Sequence, residues 1–283
     1  MYKKLFSIFW WWWYFVQYSN EPIRRSNHLA VYLANLRAKI MMIKPVLWQI
    51  PAPSDETIQG LDDKIKTLHT RLSDIHAKHH TVKFASSLQV EDMVITDALA
   101  NHHPSTEVFT LQTGRLNAET LSLIDTVKAR YPALNFKTYE PDPQAVADYV
   151  ANHGLNAFYE SVDLRKSCCF IRKVEPLNRA LVDADAWLTG QRREQSVTRT
   201  ELNLAEVDLE HGIAKYNPIF DWQEADVWAY ILTKNIPFNE LYRQGYPSIG
   251  CEPCTMPVRQ GEDIRAGRWW WEHKDSKECG LHK

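Results

Sequence analysis

Val82-Lys-Phe-Ala-Ser86 reads as a short buried strand, and Ser86-Ser-Leu-Gln-Val-Glu-Asp92 reads as a polar loop that opens a helix. The loop has no glycine and is no Walker motif. Hydroxyls and free amides at a helix N-terminus nevertheless bind anions. Without other signals, a plain strand-to-helix turn with a serine cap is the preferred reading. In an open parallel sheet, however, ligands sit at the carboxyl ends of strands. Ser86, Ser87, Glu91 and Asp92 are therefore candidates for an anion site.

The neighbouring sequence supplies that sheet. Asp55 to about Lys78 repeats apolar residues at helical spacing (Ile58, Leu61, Ile65, Leu68, Leu72, Ile75). Downstream, strands are expected at Glu107–Leu111, Asn135–Tyr139 and Ala186–Thr189. Helices are expected at Glu91–His102, from a cap at Asn117 to about Arg130, at Pro143–Asn152 and from about Arg165 to Val182. Lys215–Phe220 is extended and Glu224–Lys234 helical. This alternation predicts an α/β fold, a mostly parallel sheet flanked by helices, with an irregular C-terminal tail from Gly245 onward. Thr113-Gly114-Arg115 follows the second strand and is again in the ligand position.

The 283 residues are 45% apolar and 24% charged, which excludes collagen-like, disordered and disulfide-scaffold classes. Net charge is −2, unevenly spread. Residues 1–41 carry six Lys/Arg and one acid, leaving 27 basic and 34 acidic side chains in 42–283. A mildly acidic body argues against a nucleic-acid binder. The first segment, Lys3-Lys4 and then an apolar run with four successive tryptophans, is too short for a comfortable membrane span. The preferred reading of 1–41 is a non-native extension before a start at Met41 or Met42; a peripheral anchor and a targeting peptide are the alternatives. Residues 42–283 are expected to form one domain with a mobile C-terminal tail.

Five cysteines narrow the chemistry: Cys168, Cys169, Cys251, Cys254 and Cys279. Adjacent Cys168 and Cys169 cannot easily pair with each other, and the fold reads as cytoplasmic, so a disulfide framework is not expected. Cys251-Glu-Pro-Cys254 has metal-binding or redox spacing. With the upstream pair it gives four thiolates, which suit a structural zinc or an iron–sulfur cluster. On a helix, tandem cysteines point about 100° apart, which suits a larger cubane better than a single ion. Lys173, four residues after Cys169, is expected on the same helix face, offsetting thiolate charge. Cys279 stands alone in the tail between Lys277 and His282, whose basic character favours the thiolate, and is a candidate nucleophile. Arg192, Arg193 and Arg199 follow the fourth strand, and Arg265 and Arg268 lie in the tail. Each group alone resembles a solvated surface run. Together, after a ligand-bearing strand and near the nucleophile, they read as anion-binding.

Several long motifs resemble the iron–sulfur, thioredoxin-dependent adenylyl-sulfate reductases of the phosphoadenylyl-sulfate reductase family. They are Ser86-Ser-Leu with Glu91-Asp92, Thr113-Gly-Arg-Leu116, Cys168-Cys-Phe-Ile-Arg-Lys-Val-Glu-Pro-Leu177 and Trp187-Leu-Thr-Gly-Gln-Arg-Arg-Glu-Gln-Ser196. Lys215–Trp222, Gly245–Cys254, Gly267–Glu272 and Glu278-Cys-Gly-Leu-His282 continue the series. The resemblance implies an adenine nucleotide alpha hydrolase-like fold with a modified pyrophosphate loop. It also implies a [4Fe-4S] cluster on Cys168, Cys169, Cys251 and Cys254. It implies reduction of adenylyl sulfate to sulfite and AMP, for sulfate assimilation, with thioredoxin or glutaredoxin as reductant, and it admits a homo-oligomer. Cys279 would attack the sulfonate while Lys173, Arg199, Arg265 and Arg268 neutralise its charge. Gln112 stands where the family usually has Asp. A phosphoadenylyl-sulfate reductase is the nearest rival. An ATP-consuming enzyme of the same fold would carry a Ser-Gly-Gly-x-Asp-Ser loop, absent here, and a non-catalytic metal module would leave Cys279 and the arginines unexplained.

Overall fold

In the computed structural model, which describes residues 45–195 and 201–272, the first long helix starts where capping chemistry places it. Ser54 Oγ accepts the Thr57 N–H at 3.2 Å, an interaction worth about 1 kcal/mol. Asp55 and Glu56 in the first turn and His76 and Lys78 in the last complement the helix dipole. This helix, α1 (Asp55–Lys78), buries the stripe Leu61, Leu68, Leu72 and Ile75. The chain divides into two compact units, Met1–Val46 and Leu47–Lys283, and every element named here belongs to the second.

After α1 come β1 (Val82–Ala85), α2 (Val90–His102), β2 (Glu107–Leu111), α3 (Ala118–Arg130), β3 (Phe136–Tyr139) and α4 (Pro143–His153). Then follow α5 (Val162–Cys169), α6 (Glu175–Leu181), β4 (Ala186–Leu188), β5 (Ala205–Asp208), β6 (Ile213–Tyr216) and α7 (Glu224–Thr233). The strands lie in the order β3-β2-β1-β4-β6-β5, parallel throughout except for the β5–β6 pair. Phe84 in the centre registers with Val108 on one side and Leu188 on the other. Residues Val90 to Leu99 of α2 are all buried. They pack with α1, α7 and the central strands into the main core, around Leu68, Leu72, Val94 and Trp228. A smaller core, Phe109, Leu177, Leu181 and Trp187, seats α6 on the other residues of the sheet. Each such fully buried side chain contributes about 1.5–3 kcal/mol. No described helix is long and apolar enough to cross a membrane.

Three local expectations are corrected. The single helix expected over 165–182 is broken by a π-helical turn, Phe170–Val174, between α5 and α6. The Glu175 N–H reaches back to the Phe170 carbonyl. Pro176 has no N–H for the carbonyl four residues back, so the turn before it widens. Asn117 occupies the cap position of α3 but caps nothing with its side chain; its amide donates to the Gly250 carbonyl at 3.3 Å. Finally, β5 was not expected; it pairs with β6 through a turn closed by Gly212 at φ +69°.

Candidate active site

A cleft of about 230 Å³ opens at the carboxyl ends of β1, β2 and β4. β2 and β4 flank β1 on opposite sides, so the loops after them part and leave a crevice there. The loop after β1 is held tightly. Leu88 takes a left-handed φ of 61°, a conformation costly for a branched side chain. Its N–H donates to Ser86 Oγ at 3.3 Å, and the Ser86 N–H donates to the Phe109 carbonyl at 2.8 Å. Gln89 bridges the cleft: its amide donates to Ser87 Oγ at 3.2 Å and accepts the Ile249 N–H at 3.0 Å. The Tyr242 hydroxyl accepts the Val90 N–H at 3.1 Å.

The carboxylates of this loop face inward. Asp92 Oδ2 accepts the Ser87 N–H at 2.6 Å and the Ser87 hydroxyl at 2.5 Å. Burial pushes Asp92 up to about 7, against the pull of the Ser87 and Gly190 donors. Gly190 must lack a side chain, because a Cβ would fall 2.0 Å from Asp92 Oδ1. Glu91 Oε1 accepts from Arg192 at 2.7 Å, and Glu194 holds the same guanidinium at 3.0 Å. Arg192 is thus a buried structural partner of the loop. Arg193 does not line the cleft: it donates to the Leu202 carbonyl at 2.8 Å and lies over the Phe220 ring.

The loop after β2 divides its three residues. Thr113 lines the cleft, and its Oγ1 is 3.3 Å from Cys251 Sγ. Gly114 supplies φ +72°, and its N–H donates to Gln112 Oε1 at 2.6 Å. Gln112 therefore closes this turn with a neutral amide, and no carboxylate is needed for that. Arg115 turns away, donating to the Leu155 carbonyl at 3.1 Å and Asn156 Oδ1 at 2.9 Å.

Cys168 and Cys169 end α5, and Cys251 and Cys254 flank a single 3-10 turn. Cys251 bridges to Leu116 and accepts from Thr255 Oγ1 through its carbonyl at 2.9 Å. Among the described residues, none of the four is joined in a disulfide. Burial raises Cys168, which also feels Cys251 and is opposed by Arg172. Burial pushes Cys254 up to about 12; Cys251 and Cys169 add to this and Lys173 opposes it. The pairs thus act on one another across the fold, with cations beside them. Arg172 donates to the Thr113 carbonyl at 2.7 Å, tying the π turn to the loop after β2. Lys173 lies in that wider turn; it lines the cleft and opposes the rise of the Cys254 thiol. Among the described residues, no group of three or more His, Cys, Asp or Glu side chains is arranged around a single metal ion. Four thiols with adjacent cations fit a polynuclear cluster, whose own atoms space its ligands.

The irregular C-terminal segment closes the cleft. Arg265 and Arg268 line it. Arg268 is buried against backbone, within 3.3 Å of Ser248 Oγ and the Ile249 carbonyl. Gly250 permits this, since a Cβ there would meet the guanidinium at 2.5 Å. The Trp269 N–H donates to the Cys254 carbonyl at 3.1 Å, so the tail is stitched to the cysteine turn. Arg165 in α5, fully buried, donates to Glu272 at 2.5 Å and lies 4.6 Å from the Trp269 ring centroid. Arg199, Cys279 and His282 lie outside the described residues. Sequence reasoning passed over Gln89, Arg165 and Arg172. The signal for the last two was their place beside the cysteine pair.

A mostly parallel sheet with a cleft at its carboxyl edge, opened by a serine loop at a helix start, has the adenine nucleotide alpha hydrolase-like fold. The phosphoadenosine phosphosulfate reductase domain matches residues 81–257, and the chain belongs to that family. The adenosine 5'-phosphosulfate reductase of Neisseria meningitidis serogroup A is 58% identical over 242 residues, 86% of this chain and 99% of that protein. The phosphate complex of the phosphoadenylyl-sulfate reductase of Candida auris is 28% identical at TM-score 0.59, covering 74% of this chain and 100% of that one. The FMN adenylyltransferase of Candida glabrata shares the fold at TM-score 0.52 and 17% identity, covering 83% of this chain and 82% of that one.

Proposed function

We propose that this protein is a reductase of adenylyl sulfate, yielding sulfite and AMP in sulfate assimilation. The observation that carries this is the meeting of four thiols beside Lys173, a residue that lines the cleft, in a fold whose curated relatives bear that activity's name. Residues 42–283 form the catalytic domain, in the cytoplasm; every described helix and strand of it falls in the compact unit from Leu47. Cys168, Cys169, Cys251 and Cys254 hold a [4Fe-4S] cluster. When bound, it supplies a clamp between α5 and the cysteine turn and a delocalised charge beside Lys173.

The nucleotide enters between the loops after β1, β2 and β4. The Cys279 thiolate, favoured by His282, attacks the substrate sulfur. A bond forms between Sγ and that sulfur, and the S–O bond to the phosphate breaks with its electron pair, releasing AMP. Lys173, Arg199, Arg265 and Arg268 neutralise the sulfonate and phosphate charge. One thiolate of thioredoxin or glutaredoxin then attacks Cys279 Sγ and expels sulfite; the second thiol resolves the mixed disulfide.

The test is an assay of the purified full chain with adenylyl sulfate, its 3′-phosphorylated form and thioredoxin, alongside iron and sulfide analysis. Sulfite from adenylyl sulfate, with kcat/KM well above that for the phosphorylated form, and four irons per chain are expected. Equal or reversed kcat/KM values would assign the chain to the phosphoadenylyl-sulfate branch, and one zinc without iron would refute the cluster.

A further inference from the structure

Backbone N–H groups and a hydroxyl at the start of a buried helix, after a central strand, are the donors that cradle a polyphosphate chain. In this protein those donors have an internal occupant. The Ser87 N–H, the Ser87 hydroxyl and the Gly190 N–H all converge on Asp92. The carboxylate is only 7% exposed, yet it lines the cleft together with both donor residues. Gly190 comes so close that no side chain could stand there, so the carboxylate is seated in a built recess. The neighbouring Glu91 is likewise occupied, by Arg192 at 2.7 Å. Among the described residues, the hydrogen-bond partners of Asp92 are neutral donors.

We propose that Asp92 is a specificity-determining residue, which fills the phosphate cradle of this loop and keeps nucleoside triphosphates out of the cleft. The inference rests on the reading of the cleft as an adenylyl-sulfate site. A carboxylate in the cradle removes the donors that the outer phosphates of ATP would need. It also sets a like charge against a tail carrying more negative charge than a sulfonate does. The sulfonate, a monoanion, can rely on the cations of the opposite wall, Lys173, Arg265 and Arg268. Discrimination of this kind comes from a repulsive element as well as an attractive one.

The test uses the full chain, with AMP and ATP as probes in calorimetric titrations at pH 8. Wild type is expected to bind AMP at least about tenfold more tightly than ATP. Asp92→Ala empties the cradle and should raise ATP affinity by at least about tenfold while AMP affinity stays within about threefold. Asp92→Asn removes the charge but keeps an acceptor and the volume, so a smaller gain, of about threefold or more, is expected. Unchanged ATP affinity in Asp92→Ala with AMP still bound overturns the proposal. So does wild type that binds ATP as tightly as AMP. Should the alanine variant not fold, no gain in Asp92→Asn overturns it equally. If wild type instead releases no sulfite from adenylyl sulfate, the functional reading fails, and the AMP and ATP titrations still report on the cradle.

Discussion

On the wall of the cleft formed by β1, β4 and α2, charged and polar side chains answer one another: Asp92 holds Ser87, Glu91 holds Arg192, and Gln89 joins Ser87 to Ile249. Regular, parallel elements carry them. The second region, beside Thr113 and Lys173 of the cleft, brings thiols from two distant segments together through a π turn, a 3-10 turn and isolated bridges. There, burial keeps the Cys254 thiol up at about 12. The first wall completes itself from its own residues. The second gathers ligands whose charged form needs an added electrophilic partner.

The largest effect should come from Cys279, the proposed nucleophile. Cys279→Ser should lower sulfite release at least about a thousandfold, with iron content and AMP binding intact. Wild type given adenylyl sulfate without reductant should gain one sulfonate, mapping by mass spectrometry to the Cys279 peptide. Normal turnover of the variant, or an adduct on Cys251 or Cys254, would break the division between nucleophile and cluster.

Next, Cys251→Ser should lose its iron and become protease-sensitive in the irregular segment beyond Gly245, while AMP binding on the other wall survives. Iron analysis, limited proteolysis and titration check this; loss of AMP binding as well would show that the walls are not independent. Lys173→Gln removes a cation that faces both cleft and thiols. It should cost about 2–4 kcal/mol in kcat/KM, a loss of about thirtyfold to a thousandfold, with little change in AMP affinity. A change below about fivefold would deny Lys173 a role in the transition state.

Asp92→Asn tests the self-sufficient wall through pH. Burial raises the folded-state pKa of Asp92 to about 7. Its contribution to stability is therefore fully present below the unfolded value near 4 and lost as pH rises through 7. The asparagine variant escapes that loss, so its stability relative to wild type should rise by on the order of 2 kcal/mol between pH 5 and pH 8. Denaturant melts at the two pH values measure it, and a constant difference would mean that Asp92 is ionised throughout. The smallest effect is expected for Arg193→Ala, which among the described residues loses side-chain contacts with Leu202 and Phe220. Turnover should stay within about twofold, with about 1 kcal/mol of stability lost; a collapse of kcat/KM would return Arg193 to the substrate.

The order of strands and helices was legible because each buried element repeats apolar residues at its own period, as α1 and β1 do. The π turn was not, because its cause, the missing N–H of Pro176, acts on residues upstream while the apolar spacing continues undisturbed. Strand β5 left no pattern because it is an edge strand with Val207 largely exposed. At the site, the cysteine spacing was readable, since the thiols are few and two pairs stand apart in sequence. The arginines were harder. Nothing local to Arg192 tells that its partner is Glu91, a hundred residues earlier, or that Arg115 faces Asn156. The same blindness concealed the role of Asp92, whose donors sit on two different loops.

The ion pair between Arg165 and Glu272 acts as a mooring. Cys279 follows Glu272 by seven positions. At 3.3–3.6 Å per residue, the Cα of the nucleophile stays within about 25 Å of its mooring. If Cys279 is the nucleophile, as proposed, a thiol confined to such a radius would meet bound substrate at a millimolar effective concentration, independent of how dilute the enzyme is. Rope length thereby becomes a kinetic variable: residues inserted between Glu272 and Cys279 dilute the nucleophile only slowly, whereas cutting the mooring line sets its point of attachment adrift.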